Sequence, residues 1–355
     1  MWRVMGRASG LGRRLARGIA GGLALGWIAA VPPLGAQTSG PIRSSGSSTV
    51  GPITVLAIQG FTATGAGRGV TFKPVVENGT SAGFREFCAG TTAISHASRP
   101  ISGKELSACK AAGVDFYELP IGFDAITVVV HPSNNWARDI SLSELKKLWS
   151  RSAQQNVNRW NQVRASWPER PIKLYGPGRD SGTFDYFTKA ITGEQGNART
   201  DFVSSEDDNS LVKGVATNPN SLGYFGFAYY KANANKLRAL AVEGPKGKVM
   251  PSWKTVQNET YQPLSRPMFI YVNARQLGNN PALRNFIQYY LNNAADLVGQ
   301  EGSVPLSASQ YRLVQNKLFR NVLGTAFAGE LPVGLTLGQL LNRSIDANKK
   351  PQFRL

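Results

Sequence analysis

Apolar positions along the chain come in short runs, each followed by a turn rich in Gly, Ser and Thr and then by a segment whose apolar residues return at helical spacing. The first such unit predicts a strand over 42–45, a turn over 46–49 and a helix over 50–60, with Pro52 in the first helical turn, where its missing N–H is not needed. Residues 70–76 predict a second strand and 78–83 a turn, with part of a helix over 84–89 and a short strand at Ile94. Ser102 and Glu105 have the spacing of a capping box for a helix reaching about Ala112. The β-branched run over 126–130 predicts a buried parallel strand. Further on, 142–149 reads as helix, 172–175 as strand, and 176–182 as a turn opening a helix through about Ile191. Residues 222–227 and 268–272 read as strands, and 281–298 and 307–323 as helices. A strand–turn–helix unit recurring without a fixed period indicates an α/β fold, and 355 residues suffice for about two lobes of that kind. The 38 glycines and 20 prolines add many sharp turns and exclude a long helical bundle.

The formal net charge of +18 favours an anionic partner, but part of it belongs to a leader. Residues 1–36 hold Arg3, Arg7, Arg13, Arg14 and Arg17 and no acid, then a small and apolar run over 18–31, then Leu34-Gly35-Ala36. That is the layout of a secretory signal peptide, and it predicts cleavage after Ala36, without a nearby cysteine for lipid attachment. Removing it leaves 35 basic against 22 acidic residues, +13 over 319. The only cysteines, Cys88 and Cys109, could pair in an oxidising compartment or stay as buried thiols. With two His and two Cys scattered along the chain, no Cys/His metal cluster is expected.

Three turns carry unusual densities of small hydroxyl residues: 44–49 (SSGSST), 79–83 (GTSAG) and 178–183 (GRDSGT). Each precedes a predicted helix, whose first N–H groups lack internal partners and sit at the positive end of its dipole. Ordinary capping explains one such turn, whereas three in one chain point to an anion site. Ser98 and Arg99 form a fourth candidate segment, and Arg99 and Arg179 are the natural charge partners for a dianion, because a guanidinium matches a tetrahedral oxyanion bidentately. Asp180 among these donors would repel a fully ionised ligand but could accept a proton from a ligand that carries one. Phosphate keeps a proton near neutral pH and sulfate does not, so one acceptor would both attract the first and reject the second. Charge-assisted hydrogen bonds contribute about 1.5–3 kcal/mol each and micromolar binding requires about 8 kcal/mol, so four or five suffice.

Together with 93–101 (AISHASRPI), 221–228 (SLGYFGFA) and 262–273 (QPLSRPMFIYVN), the strings 44–53 (SSGSSTVGPI), 77–87 (ENGTSAGFREF) and 178–184 (GRDSGTF) resemble the periplasmic phosphate-binding protein of the high-affinity phosphate ABC importer. The resemblance runs in the same order over nearly all of the chain beyond the leader. It implies a type II periplasmic binding protein, two α/β lobes joined by two chain crossings, with dehydrated phosphate held between them. Lobe I would span 37–123 plus 268–355 and lobe II 124–267, hinged near 123–126 and 264–268. Carried over position by position, the ligand residues are Ser48 and Thr49, Thr80 and Ser81, Ser98 and Arg99, then Arg179, Asp180, Ser181, Gly182 and Thr183. Many relatives have Asp where this chain has Arg99, so the proton acceptor is sought in Asp180 first and Asp124 second. The expected protein is a periplasmic, non-enzymatic monomer that needs no cofactor or metal and delivers inorganic phosphate to a membrane ABC permease.

The same residues admit other readings. Arsenate matches phosphate in protonation and nearly in size, sulfate is a further oxyanion, and a phosphate sensor would need no permease. Gly79 to Gly83 satisfies G-x-S-x-G with Asp124 and His131 following, the order of a serine hydrolase or phosphatase. His131 closes an apolar strand only 50 residues after Ser81, and no HGGG-type loop precedes that serine, which argues against it. The cations are dispersed without a recognisable module, so no nucleic acid is expected.

Overall fold

The computed structural model describes residues 40–336, 338–340 and 342–343; the leader and its cleavage point lie outside the described residues. Seven strands form one path in the order Ser44–Gly46, Ile94–Ala97, Ser265–Asn273, Phe116–Val130, Ser221–Gly226, Lys173–Pro177 and Val203–Ser205. Val304–Pro305 and Arg238–Ala239 join off that path, both against Phe116–Val130. A separate three-stranded sheet is built from Gly247–Val249, Ala241–Gly244 and Asp139–Ser141. Helices pack around these strands in a mixed α/β fold.

Phe116–Val130 is shared between two halves of the structure, and all 15 of its residues are buried. Residues 116–125 pair with Ser265–Asn273, whereas 126–130 pair with Ser221–Gly226. Both pairings are antiparallel, which corrects the parallel strand expected over 126–130. A β-branched run records cover on both faces; the connections decide direction. In the main sheet the parallel pairs are Ser44–Gly46 with Ile94–Ala97, and Lys173–Pro177 with both Val203–Ser205 and Ser221–Gly226; in the small sheet Asp139–Ser141 pairs parallel with Ala241–Gly244. Hydroxyl-rich turns therefore leave the carboxyl ends of parallel strands, the position where open α/β sheets receive ligands.

Local departures from expectation have simple causes. Residues 70–76 make only two isolated bridges, Phe72 to Ile42 and Val76 to Ser45, since the short first strand offers little edge to pair with. Much of the turn expected over 78–83 is the first turn of the helix Thr80–Cys88. The helix expected over 281–298 is two, Pro281–Asn292 and Ala294–Glu301, divided at Asn293. The capping box forms as its spacing predicts, with Ser102 accepting the Glu105 N–H and Glu105 accepting the Ser102 N–H.

Aromatic packing fixes the helices that carry the turns. Phe187, in the helix Gly182–Thr192, stacks on Tyr224 at 3.7 Å between ring centroids, and Trp149 meets Tyr224 edge-on at 4.9 Å. Phe84, in the helix Thr80–Cys88, meets Tyr271 edge-on at 4.8 Å. Cys88 and Cys109 are joined, tying the end of that helix to the helix Gly103–Ala111 across 21 residues. A cross-link closing a loop of that size stabilises by about 3 kcal/mol in the chain-entropy treatment.

Candidate functional site

Arg266 stands at the centre of the site, and no part of its side chain or of Asp124 is exposed. Its Nε and Nη2 donate to Asp124 Oδ2 at 3.1 and 2.8 Å, and Nη2 also donates to Thr49 Oγ1 at 3.1 Å. Nη1 reaches the Ser98 carbonyl at 3.5 Å. Asp124 Oδ1 accepts the Phe227 N–H at 3.0 Å. A charge pair buried this completely is strongly destabilising to break, so the geometry around it is fixed.

Hydroxyls and helix starts close around that pair. Thr80 Oγ1 lies 3.4 Å from Ser98 Oγ and accepts the Ser98 N–H at 3.3 Å. A Cβ on Gly182 would fall 2.5 Å from Thr80 Oγ1 and 2.6 Å from Ser98 Oγ, so glycine is required for this approach. A Cβ on Gly226 would lie 3.3 Å from both Asp124 Oδ2 and the Thr49 methyl. Ser181 caps its helix by accepting the Thr183 N–H at 3.1 Å. The helices Gly51–Thr62 and Thr80–Cys88 have no side-chain cap; Gly51 and Ile53 N–H bond the Ser47 and Val50 carbonyls instead, Pro52 has no N–H, and the Ser81 N–H bonds the Asp180 carbonyl. Ser48 Oγ donates to Asp208 Oδ2 at 2.7 Å. Burial pushes the Asp208 carboxyl up to about 7, against the pull of the Ser48 hydrogen bond and of Arg266.

The chain matches the family model of the PBP superfamily domain over residues 31–294. It belongs to that superfamily. It is 47% identical over 331 residues to Protein SphX of Synechocystis sp., covering 93% of this chain and 97% of that one. It is 32% identical over 280 residues to the phosphate-binding protein PstS of Staphylococcus saprophyticus, covering 79% and 84% respectively. A Clostridium perfringens structure assigned as a phosphate ABC transporter substrate-binding protein, with phosphate bound, gives a TM-score of 0.62 at 25% identity, covering 75% of this chain and all of that one. The two-lobed α/β architecture of this superfamily member follows.

Of the residues expected at the site, Thr49 and the Ser98 carbonyl meet Arg266, Ser48 meets Asp208, and Thr80 and Gly182 meet Ser98, with Ser181 and Thr183 flanking Gly182. Arg99, expected as a charge partner, presents no free donor. Its Nε donates to Asp185, Nη1 to the Pro100 carbonyl and Glu105, and Nη2 to Ser81 and Glu105, so all five N–H hydrogens of the guanidinium are engaged. Ser81 thereby faces Arg99 through its hydroxyl, while its N–H donates to the Asp180 carbonyl at 2.8 Å. Arg179 is exposed at the surface. Asp180, expected as the proton acceptor, is gripped by Arg85 with two bonds of 2.7 and 3.0 Å, which hold its carboxylate below the usual range. Ser81 and His131 are not coupled as in a hydrolase, for the His131 ring bonds Ser133 instead.

Arg266 and Asp208 are the residues that sequence reasoning missed. A signal for the first exists: Ser-Arg-Pro occurs twice, at 98–100 and 265–267, and the second copy opens an apolar strand where a lone arginine requires a buried partner. Asp208 gives no such signal, because Glu206-Asp207-Asp208 reads as the solvated acidic start of a helix.

The raised carboxyls give a stability prediction. Burial lifts Glu206 to about 7 and Glu301 to about 8, alongside Asp208. Each titrates near 4 in the unfolded chain, so between about pH 4 and 8 the folded state binds more protons and stability falls as pH rises. Asp180 and Asp201, held down by Arg85 and Arg199, act in the opposite sense, at the acid end. Calorimetric melting of the ligand-free protein should therefore give a higher Tm at pH 5 than at pH 8.5, with a smaller drop in Asp208→Asn. A Tm that climbs over this range contradicts the assignment.

Proposed function

We propose that this protein captures inorganic phosphate in the buried cleft around Arg266, closes over it and passes it to a membrane ABC permease. The lobes are taken as 37–123 plus 268–355 and 124–267, with the leader cleaved near Ala36 and the mature protein working in the periplasm. The observation that carries the ligand is one fully buried guanidinium already neutralised by Asp124, with the Thr49, Ser48 and Ser98 hydroxyl residues and a second buried acid beside it. An anion entering such a site gains from dipoles and charge-assisted hydrogen bonds rather than from excess positive charge. Two carboxylates in the wall tolerate only a guest with a proton of its own, which phosphate has and sulfate lacks. In this reading Asp208 takes the acceptor role first sought in Asp180, with Asp124 as its companion. The likeness to PstS and to the phosphate-bound Clostridium structure supports the same ligand and the same transport context. Capture without turnover accords with Ser81 being held by Arg99 rather than by a base.

Titration calorimetry with phosphate, arsenate and sulfate tests this. Phosphate and arsenate should bind, sulfate at least about a hundredfold more weakly, a difference of about 2.7 kcal/mol. Asp208→Asn should narrow that ratio mainly by weakening phosphate. Equal binding of sulfate would remove the carboxylate argument and the proposed ligand with it.

A further inference from the structure

We infer that Arg99 is the closure latch of the cleft, a positioning residue that ties one lobe to the other. This rests on the two-lobed capture reading above. The guanidinium is anchored first on its own side, where Glu105 accepts from Nη1 and Nη2 at 2.8 Å each and the Pro100 carbonyl accepts from Nη1 at 3.0 Å. Glu105 is held in turn by the Ser102 N–H and hydroxyl at 2.8 and 2.7 Å. Nε points away from this anchor and donates to Asp185 Oδ2 at 2.8 Å, in the helix Gly182–Thr192 of the facing lobe. That helix begins with the Gly182 that meets Thr80 and Ser98. Nη2 meanwhile orients Ser81 at 2.9 Å.

This arrangement differs from an ordinary surface ion pair in two respects. The side chains are almost fully withdrawn from water, with Arg99 2% and Asp185 7% exposed. Its entropic demand is also small, because the bidentate Glu105 contact keeps Arg99 in place whether or not Asp185 is near, so closure immobilises only the aspartate. Arg85, on the helix Thr80–Cys88, pairs with Asp180, just ahead of the helix Gly182–Thr192, but at 63% and 40% exposure water competes for both partners. Opening the cleft must break the buried contact, whereas first entry of a ligand into the open form need not make it. Its effect therefore belongs in the release rate.

Stopped-flow kinetics and small-angle scattering of the purified protein with inorganic phosphate test the latch. Asp185→Asn should raise the off-rate about tenfold or more while the on-rate stays within about twofold. It should enlarge the radius of gyration of the ligand-free protein and leave the phosphate-saturated value at that of wild type. Arg85→Gln, exposed and safe for folding, should raise the off-rate by no more than about fivefold. Asp185→Glu keeps the charge and should recover most of the wild-type off-rate. An Asp185→Asn off-rate within twofold of wild type, equal changes in both rates, or a glutamate variant as fast as the asparagine one would each overturn the latch. If wild type failed to bind phosphate, the capture reading would fall, and the ligand-free scattering would still decide the latch: an unchanged radius in Asp185→Asn would overturn it.

Discussion

Arg266→Ala is expected to abolish phosphate binding in titration calorimetry and to lower the Tm of the ligand-free protein. The guanidinium and Asp124 are both wholly buried, so the substitution strands an unpaired carboxylate in the interior, at a cost of about 3–5 kcal/mol. Binding suffers separately. Thr49 loses the donor that orients its hydroxyl, and the site loses its only central cation, leaving Asp124 to repel the guest. The two effects can be parted. In Arg266→Ala with Asp124→Asn the stranded charge is gone, and the Tm should recover substantially while phosphate still fails to bind. Arg266→Lys should retain weak binding, roughly a hundredfold down, because a point charge on a flexible stem cannot serve Asp124, Thr49 and the Ser98 carbonyl together as a planar fork does. A double variant that binds phosphate like wild type would remove Arg266 from the site.

The contrast between Arg266 and Arg99 shows where sequence reasoning stopped. Both lie in Ser-Arg-Pro, both are buried, and the one singled out beforehand holds other protein groups. What distinguishes them is the partner brought by the fold: Glu105, Asp185, Ser81 and the Pro100 carbonyl engage every N–H of Arg99, while Asp124, 142 residues away in sequence, takes Nε and Nη2 of Arg266. The pairings with Asp185 and Asp124 depend on long-range topology, which local spacing does not encode. Features set by neighbouring residues were legible: the strand–turn–helix units, the Ser102 and Glu105 capping box, and the hydroxyl-rich turns at the helix starts. The strand over 126–130 was legible as a buried strand and illegible in direction, because burial sets its composition and the connections set its pairing. Asp180 was chosen for standing among donors in the chain, yet a side chain from another helix, Arg85, had first claim on it.

Gly182→Ala separates local preference from the demands of the closed cleft. Gly182 is the first residue of its helix, where alanine by itself should favour helix formation by a few tenths of a kcal/mol up to about 1 kcal/mol. Yet the added Cβ would stand 2.5 Å from Thr80 Oγ1 and 2.6 Å from Ser98 Oγ, closer than a real Cβ approaches a heavy atom, and a tight 3.1 Å from Thr80 Cβ. Thr80 and Ser98 are fully buried and short, so neither can swing clear as the end of a long side chain would. The lobes must then stop short of the observed approach, and the hydroxyls of one side no longer meet the helix start of the other around the same guest. The ligand-free Tm should be unchanged or slightly higher. Phosphate affinity should fall by two orders of magnitude or more, about 2.7 kcal/mol, and scattering at high phosphate should report a particle larger than the wild-type complex. Wild-type affinity in Gly182→Ala would mean that phosphate binds without this approach of Gly182 to Thr80 and Ser98, and the cleft as built here would not be the phosphate site.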